Sequence, residues 1–381
     1  MGHEVTVVTC APNFPTGKVY EGYRNRPWTS ETMNGIRVVR VWSYITANEG
    51  NLRRTLDYMS FMWSATLAGV FLQRHDVLVA TSPQFFTACA GYAVSRLRHV
   101  PFVFELRDLW PESIKAVGAM RDSLALRWLE RLELFLYRKA AAIVTVTHSF
   151  RDRLGERGVD VGKVEVVTNG VDLSRFAPRE RDEELAARLG LAGKFVAGYI
   201  GTHGLAHGLE TVLDAAETLA RQPDGDRYRV VLLGDGARKR HLMEYAQQRK
   251  LANVVFLDSV PKSEVARYWS LLDVSIIHLI DDPLFRTVIP SKLFESMGMG
   301  VPIAHGVAGE SAEIVERHGV GRVFRSGDAA ALSAVLQKMA REPAVRAAYK
   351  NACARAAPEF DRAQLARRMG TFLETLATRE R

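Results

Sequence analysis

The sequence is poor in the features that mark disulfide scaffolds, metal clusters, membrane spans and nucleic-acid binders. Its 381 residues include three cysteines, Cys10, Cys89 and Cys353. They are widely separated, without metal-ligand spacing, which excludes a disulfide framework and suggests a reducing compartment. The longest apolar stretch, YMSFMWSATLAGVFL at residues 58–72, falls short of the roughly 20 residues a spanning helix needs. It reads either as a buried helix or as an interfacial one, since Arg53 and Arg54 precede it and Arg74 follows. The first ten residues read as a strand rather than a secretory leader, so the expected location is cytoplasmic. The net charge of +8 is spread along the chain. Without clustered basic and aromatic residues it argues against nucleic acid and suits an anionic small molecule or an anionic membrane surface.

What is present is an alternation of short β-branched runs with longer amphipathic stretches, the pattern of parallel sheets covered by helices. The first half offers EVTVVTC, IRVVRV, DVLVATS, PFVFEL, AAIVTVT and VEVVTN. After NGVDLSRFAPRE the pattern restarts with KFVAGYIG, YRVVLLGDG, NVVFLDS, VSIIHLI, VPIAHG and GRVFRS. The chain therefore reads as two doubly wound α/β halves, residues 1–176 and 177–357, with strand ends facing a shared cleft where ligands of such sheets bind. The last segment, residues 358–381, is one more amphipathic helix, and it can complete either half.

Two segments of the second half suggest anion binding. GYIGTHGLAHGLETVLDAA reads as strand, glycine-rich turn and helix. Gly201, Gly204 and Gly208 allow close backbone approach to a ligand, and the helix start offers amides to a phosphate, although such turns also serve packing alone. His203 and His207 lie in this turn and add donors. In PSKLFESMGMGVPIAHG, Pro290 closes an extended segment and Ser291 is expected to cap a helix that begins Lys292-Leu293-Phe294-Glu295. The helix start and the Lys292 ammonium suit a diphosphate, and Glu295 suits two vicinal hydroxyls. The alternative is a surface pair of Lys292 with Glu295.

VVTNGVDLSRFAP resembles the interdomain signature of retaining family-4 glycosyltransferases of the GT-B fold, and PSKLFESMGMGVPI resembles their donor-binding motif. VFELRDLWPESI resembles the branch that builds bacterial O-antigen, capsule and exopolysaccharide, near fucosaminyl and N-acetylhexosaminyl transferases. The resemblance implies two Rossmann-like domains and a UDP-sugar as co-substrate. It also implies transfer with retention to a lipid-linked saccharide at the inner face of a membrane, with no metal or other cofactor required. Glu295 would hold the ribose. The amides around Ser291, Lys292 and Leu293, with the turn of Gly201, Thr202, His203, Gly204 and His207, would hold the diphosphate. Val260 falls at the nucleobase, Gly234 and Gly236 on a neighbouring loop, and Arg238 or Lys239 would add charge. The family commonly has a Glu eight residues before its ribose Glu, where this chain has Thr287; the usual Arg and Lys of the glycine turn fall at Thr202 and His207. Charge compensation is then expected from Lys292, Arg286 or Arg238.

In the first half, ELRDLWPES follows an apolar strand. Asp108 or Glu105 would orient the acceptor hydroxyl or the sugar, and Arg107 would contact phosphate; a structural Arg107–Asp108 network is the equal alternative. The acceptor side is expected at ATSPQFF, with Ser82 and Pro83, and at PNFPTGK, with Asn13 and Lys18. Two other functions stay open: a UDP-N-acetylglucosamine 2-epimerase-like isomerase, and a nucleotide-sugar-binding remnant without turnover. In the family GHEVTVVT is typically a second strand, preceded by strand, glycine turn and helix. Met1 is therefore expected to be an internal methionine of a longer chain, and loss of that unit is expected to expose the apolar flank of VTVVT.

Overall fold

The computed structural model describes residues 1–13, 17–46, 51–109 and 124–379. Residues 14–16 of PNFPTGK and 110–114 of VFELRDLWPESI lie outside them. The chain separates into two compact units, Met1–Val167 together with the chain from Arg367 onward, and Thr168–Ala366.

The first unit carries two sheets. One has the order β1-β3-β2, with β1 (Thr6–Thr9) parallel to β3 (Ile36–Val41) and β2 (Trp28–Met33) antiparallel to it. The other is all parallel, β4 (Leu78–Thr81), β5 (Phe102–Leu106), β6 (Ala142–Thr145) and β7 (Val164–Val166), in that order. Every strand expected from sequence in this half is present. Among the described residues, β2 is the addition. Its sequence WTSETM is polar and mostly exposed, so burial periodicity does not mark it. Its mark is the turn: Asn34 and Gly35 both have positive φ, 51° and 80°, as a two-residue hairpin of the primed kind requires.

Helices α1 (Asn51–Phe71) and α2 (Phe85–Arg98) pack side by side, and the Cβ that Gly69 lacks would lie 2.6 Å from Val94 Cγ2. Small residues of α1, Ala65 and Ala68, close on Val39 and Val41 of β3. Helix α3 (Leu124–Lys139) packs against α2 and β5, and α4 (His148–Glu156) against β6 and β7. The C-terminal helix (Arg362–Arg379) lays Met369, Phe372, Leu373 and Leu376 against Val103, Ala142 and Val144. Its Arg368 pairs with Glu165 at 2.6 Å. Val5 and Val7, at the start of the chain, are 47% and 41% exposed.

The second unit is built on one parallel sheet of order β10-β9-β8-β11-β12-β13. Its strands are β8 (Phe195–Ile200), β9 (Tyr228–Leu233), β10 (Val254–Leu257), β11 (Val274–His278), β12 (Ile303–Gly306) and β13 (Gly321–Val323). Every residue of β8, β11 and β12 is buried. That explains why these segments read as continuous apolar runs: helices cover both faces of the sheet. The helices are α5 (Glu183–Arg188), α6 (Glu210–Ala220), α7 (Lys239–Gln248), α8 (Val265–Trp269), α9 (Lys292–Met299), α10 (Glu310–His318), α11 (Ala329–Arg341) and α12 (Pro343–Ala356); α13 (Arg362–Arg379) begins in this unit and from Arg367 onward belongs to the first. From β8 the chain winds outward through β9 and β10, then returns to the other side of β8 with β11. The junction of β8 and β11 is therefore the point where strand order reverses, and ligands of open α/β sheets bind just beyond the carboxyl ends of the strands there.

The NGVD segment belongs to this unit. Val171 N–H donates to Phe360 O and Arg362 N–H to Val171 O, both at 2.9 Å. A Cβ at Gly170 would sit 2.3 Å from Phe360 O, which leaves room for glycine alone.

Candidate active site

Beyond the carboxyl ends of β8 and β9, two glycine loops press together. Gly201 N–H donates to Leu233 O at 2.9 Å, His203 N–H to Asp235 O at 2.8 Å, and Arg238 N–H back to His203 O at 2.9 Å. Gly234 has φ +147°, and a Cβ there would lie 1.9 Å from Gly201 O. The requirement for glycine at 234 is thus set by the neighbouring loop and does not depend on any ligand. Lys239 fastens the second loop from beneath, with Nζ donating to Gly234 O at 2.9 Å, to Leu257 O at 3.2 Å and to Asp258 Oδ1 at 2.5 Å.

Under the first loop stands Tyr199, fully buried, whose hydroxyl donates to Thr202 O at 2.9 Å. Three basic side chains surround its ring. Lys292 Nζ lies 3.5 Å from the ring centroid, and the rings of His207 and His203 lie 5.8 Å and 6.0 Å away. Lys292 Nζ, both ring nitrogens of His203 and Nδ1 of His207 are buried and make no hydrogen bond. Burial pushes the Lys292 ammonium down to about 7, against a weaker pull from Glu295 in the other direction. The same desolvation lowers both imidazoles to about 4, helped by Lys239 and Lys292 at His203 and by Lys292 at His207. Unsatisfied buried polar atoms are uncommon and each calls for a reason. Here they gather at one spot, beside the switch point of the sheet.

The loop that carries His207 is held from β11. His278 Nδ1 is 2.7 Å from His207 O, and Gly327 N–H donates to His278 Nε2 at 3.0 Å. The imidazole is therefore neutral with its proton on Nδ1, and burial lowers its pKa. Ile280 N–H donates to Ala206 O at 2.9 Å, a second tie across the same junction.

Ser291 corrects one expectation. Its backbone is already helical, with φ −57° and ψ −28°, and its hydroxyl makes no capping bond. A side chain caps from an extended backbone; here Pro290 and Ser291 form the first turn themselves, Leu293 N–H donating to Pro290 O at 2.9 Å and Phe294 N–H to Ser291 O at 3.1 Å. Leu293 is buried in the core with its side chain away from solvent. Lys292 and Glu295 do not form the surface pair, because Lys292 Nζ points inward to Tyr199 without a hydrogen-bond partner. Glu295 is half-buried; burial raises its pKa, while Lys292, Arg362 and Lys262 pull it down.

The other cations named from sequence are already paired. Arg238 forms an ion pair with Glu210, and Arg286 with Asp281 at 3.0 Å. Thr287 closes a 3-10 turn, its hydroxyl donating to Leu284 O at 2.7 Å. Val260 is half-buried against the core beside β10. Gly236 packs on the backbone of His203, and Gly204 precedes the short turn Leu205–His207.

In the first unit the ends of β4 and β5 are joined. The buried Ser82 hydroxyl accepts from Arg107 N–H at 2.9 Å and from Asp108 N–H at 3.3 Å, and Ser82 N–H donates to Glu105 O at 2.9 Å. Pro83 follows through a cis peptide bond. Asn13 and Lys18 stand on the segment after β1, beside the other sheet. The Asn13 amide donates to Ala11 O at 2.8 Å, and Lys18 is exposed. Among the described residues no group of three or more His, Cys, Asp or Glu is placed to hold a metal ion.

Tyr199 and His278 were not singled out from sequence. Each sits in an apolar strand, and only the three-dimensional placement shows that one carries Lys292 and the other holds the His207 loop.

Residues 1–170 match the family model described as glycosyl transferase 4-like domain, and residues 181–356 match the one described as glycosyl transferases group 1. The chain is a glycosyltransferase of the GT-B fold with a GT4-like N-terminal domain. It is related to bacterial polysaccharide-biosynthesis glycosyltransferases. It is 26% identical over 311 residues to the Escherichia coli protein named as colanic acid biosynthesis glycosyl transferase WcaI, covering 78% of this chain and 74% of that protein. The fold is that of sucrose-phosphate synthase from Thermosynechococcus elongatus, with TM-score 0.78 at 18% identity over 98% of this chain and 89% of that one. It is also that of Anabaena HepE in complex with UDP-glucose, with TM-score 0.73 at 17% identity over 98% and 100% of the two chains.

Proposed function

We propose that the chain moves a sugar from a nucleoside diphosphate sugar to a lipid-linked saccharide, with retention of configuration, in building a bacterial surface polysaccharide. The donor in this reading is UDP-linked, and the sugar is an N-acetylhexosamine or a deoxyhexosamine. The observation that carries the reading is the buried Lys292 ammonium, unpartnered beside two unpartnered imidazoles at the switch point of the second sheet.

A diphosphate leaving group accumulates negative charge as the bond from the sugar anomeric carbon to the phosphate oxygen breaks. Donors already fixed where that charge develops lower the barrier without reorganisation. Lys292 is such a donor, held by the Tyr199 face, and His203 and His207 add neutral N–H donors. Arg238 and Arg286, being paired, add less. Glu295 accepts from the ribose hydroxyls, the backbone near Val260 meets the base, and the amides near Ser291 join the diphosphate contacts. The acceptor oxygen bonds to the anomeric carbon on the face the diphosphate leaves, and its proton passes to the departing diphosphate. The Ser82–Pro83 and Glu105–Asp108 turns, with Asn13 and Lys18, serve the acceptor.

The test is mass spectrometry of the products when the chain is given a panel of UDP- and GDP-sugars and a lipid-linked saccharide pool. The expected result is an acceptor heavier by one N-acetylhexosamine or deoxyhexosamine, with the donor's anomeric configuration kept. Epimerised nucleotide sugar formed without acceptor would replace the transferase reading with an isomerase. Nucleotide binding without turnover, in this chain and in one extended upstream, would reduce it to a binding protein.

A further inference from the structure

Helix α1 is apolar on two faces, and the core uses only one of them. Its inner face, with Ala65 and Ala68, packs on β3. Its outer face exposes Leu52, Leu56, Met59, Trp63, Leu67 and Phe71. Steps of three and four residues place these six side chains on a single stripe along the helix. Four of them are more than half open to solvent: Leu52 is 75%, Trp63 67%, Leu67 61% and Phe71 76% exposed. A line of large apolar groups about 30 Å long is far more than the isolated exposed leucines of an ordinary surface.

The neighbouring helices also expose apolar side chains. Helix α2 packs between α1 and α3, with Tyr92 edge-on to Phe135 of α3 at 5.3 Å. On α3 the spacing of Leu124, Trp128 and Phe135 again gives one exposed line, with Leu124 at 83% and Trp128 at 59%. Basic residues interleave with it: Arg127, Arg131, Arg138 and Lys139 are all exposed. Arg53 and Arg54 stand at one end of α1, Arg74 just past the other, and Arg96 at the end of α2, also exposed. The acids on these helices are not on the open surface: Glu133 is buried and paired with Arg157 at 2.7 Å, while Asp57 and Glu130 are half-buried.

We infer that this face, the outer sides of α1 and α3 with the end of α2, rests on an anionic lipid bilayer. Tryptophan, leucine and phenylalanine enter the headgroup and acyl boundary, and the arginines reach the lipid phosphates. The charge distribution selects this occupant over a second copy of the chain. A two-fold interface sets the same patch against itself and would bring these arginines together, whereas anionic headgroups neutralise them. No described helix is long and apolar enough to cross a membrane, and lying in the interface does not require one. The inference rests on the proposed function in taking the bilayer as the place where the acceptor is held.

The experiment is co-sedimentation of the full chain with vesicles of phosphatidylcholine, with and without phosphatidylglycerol, in the absence of donor and acceptor. Wild-type protein is expected to pellet with the anionic vesicles. The double variant Trp63→Glu, Leu67→Glu should lose about tenfold or more in apparent lipid affinity, since charge is costly in the interface. Arg127→Glu with Arg131→Glu should weaken binding to anionic vesicles and leave the weaker binding to neutral ones little changed. These side chains are exposed, so an unchanged circular dichroism spectrum should accompany both variants. Absence of pelleting with anionic vesicles, or equal pelleting of the Trp63 and Leu67 variant, would overturn the inference. So would a dimer that this variant dissociates, in a protein that ignores vesicles. Transfer to an acceptor in detergent micelles reads the proposed function separately, so failure of one does not imply failure of the other.

Discussion

The affinity for a nucleotide sugar should fall as pH rises through 7, because the main cation of the site is half-discharged there. Lys292 is buried against Tyr199 with no carboxylate bonded to it, and burial pushes its pKa down to about 7. Binding needs the ammonium form, and a diphosphate beside it moves the pKa back up. In the free protein the charged fraction falls from about nine-tenths at pH 6 to about one-tenth at pH 8. The dissociation constant should therefore rise about tenfold over this range, about 1.4 kcal/mol, with a proton taken up on binding. His203 and His207, lowered by burial to about 4, are neutral throughout the window and add donors rather than slope. UDP-glucose is the suitable probe, because its diphosphate, unlike the terminal phosphate of UDP, does not titrate between pH 6 and 8. Isothermal calorimetry in two buffers of different ionisation enthalpy gives both the constant and the proton count. A flat constant without proton uptake would refute the reasoning, as would an unchanged slope in Lys292→Gln.

Three further outcomes are expected. Glu295→Ala should weaken UDP-glucose binding by about 1.5–3 kcal/mol, the range for hydrogen bonds to a charged group, as read by the same calorimetry. Lys292→Met should raise the melting temperature while weakening UDP-glucose binding. The folded-state pKa lies below the unfolded one, so burial of the charge costs stability in full below pH 7, and the cost fades as pH rises from about 7 toward 10.5; removing it should contribute on the order of 1–3 kcal/mol at pH 7. Gly234→Ala should destabilise the second unit by about 2–4 kcal/mol in urea unfolding, because its Cβ would meet Gly201 O at 1.9 Å at a backbone angle that side chains avoid.

Much of the second unit was legible because its central strands β8, β11 and β12 are buried on both faces and read as unbroken apolar runs between glycine turns. The glycines at 201, 204, 208, 234 and 236 were legible as turns. Their mutual packing was not, since Gly234 is required by a carbonyl on a loop that sequence distance conceals. Ser291 shows a limit of local rules. Serine before an apolar helical run is a good cap signal, yet the preceding Pro290 carbonyl already starts the turn. Lys292 was legible as a cation at a helix start. That it is buried over Tyr199 depends on a contact between β8 and α9, and this burial is what sets its pKa. In the first unit the Asn34-Gly35 turn is the sequence signal for β2, because the strand itself carries no apolar alternation. Residues 58–72 allowed a buried or an interfacial helix. The structure shows one face of α1 packed and the other open, a combination that composition alone cannot separate.

A structure of the full chain with UDP-glucose bound tests the role of Lys292 most directly. The diphosphate is expected beyond the carboxyl ends of β8 and β11, with Lys292 Nζ at about 3 Å from a phosphate oxygen and the Glu295 carboxylate on the ribose hydroxyls. A diphosphate held by Arg238 or Arg286 while Lys292 stays against Tyr199 without a phosphate contact would contradict it.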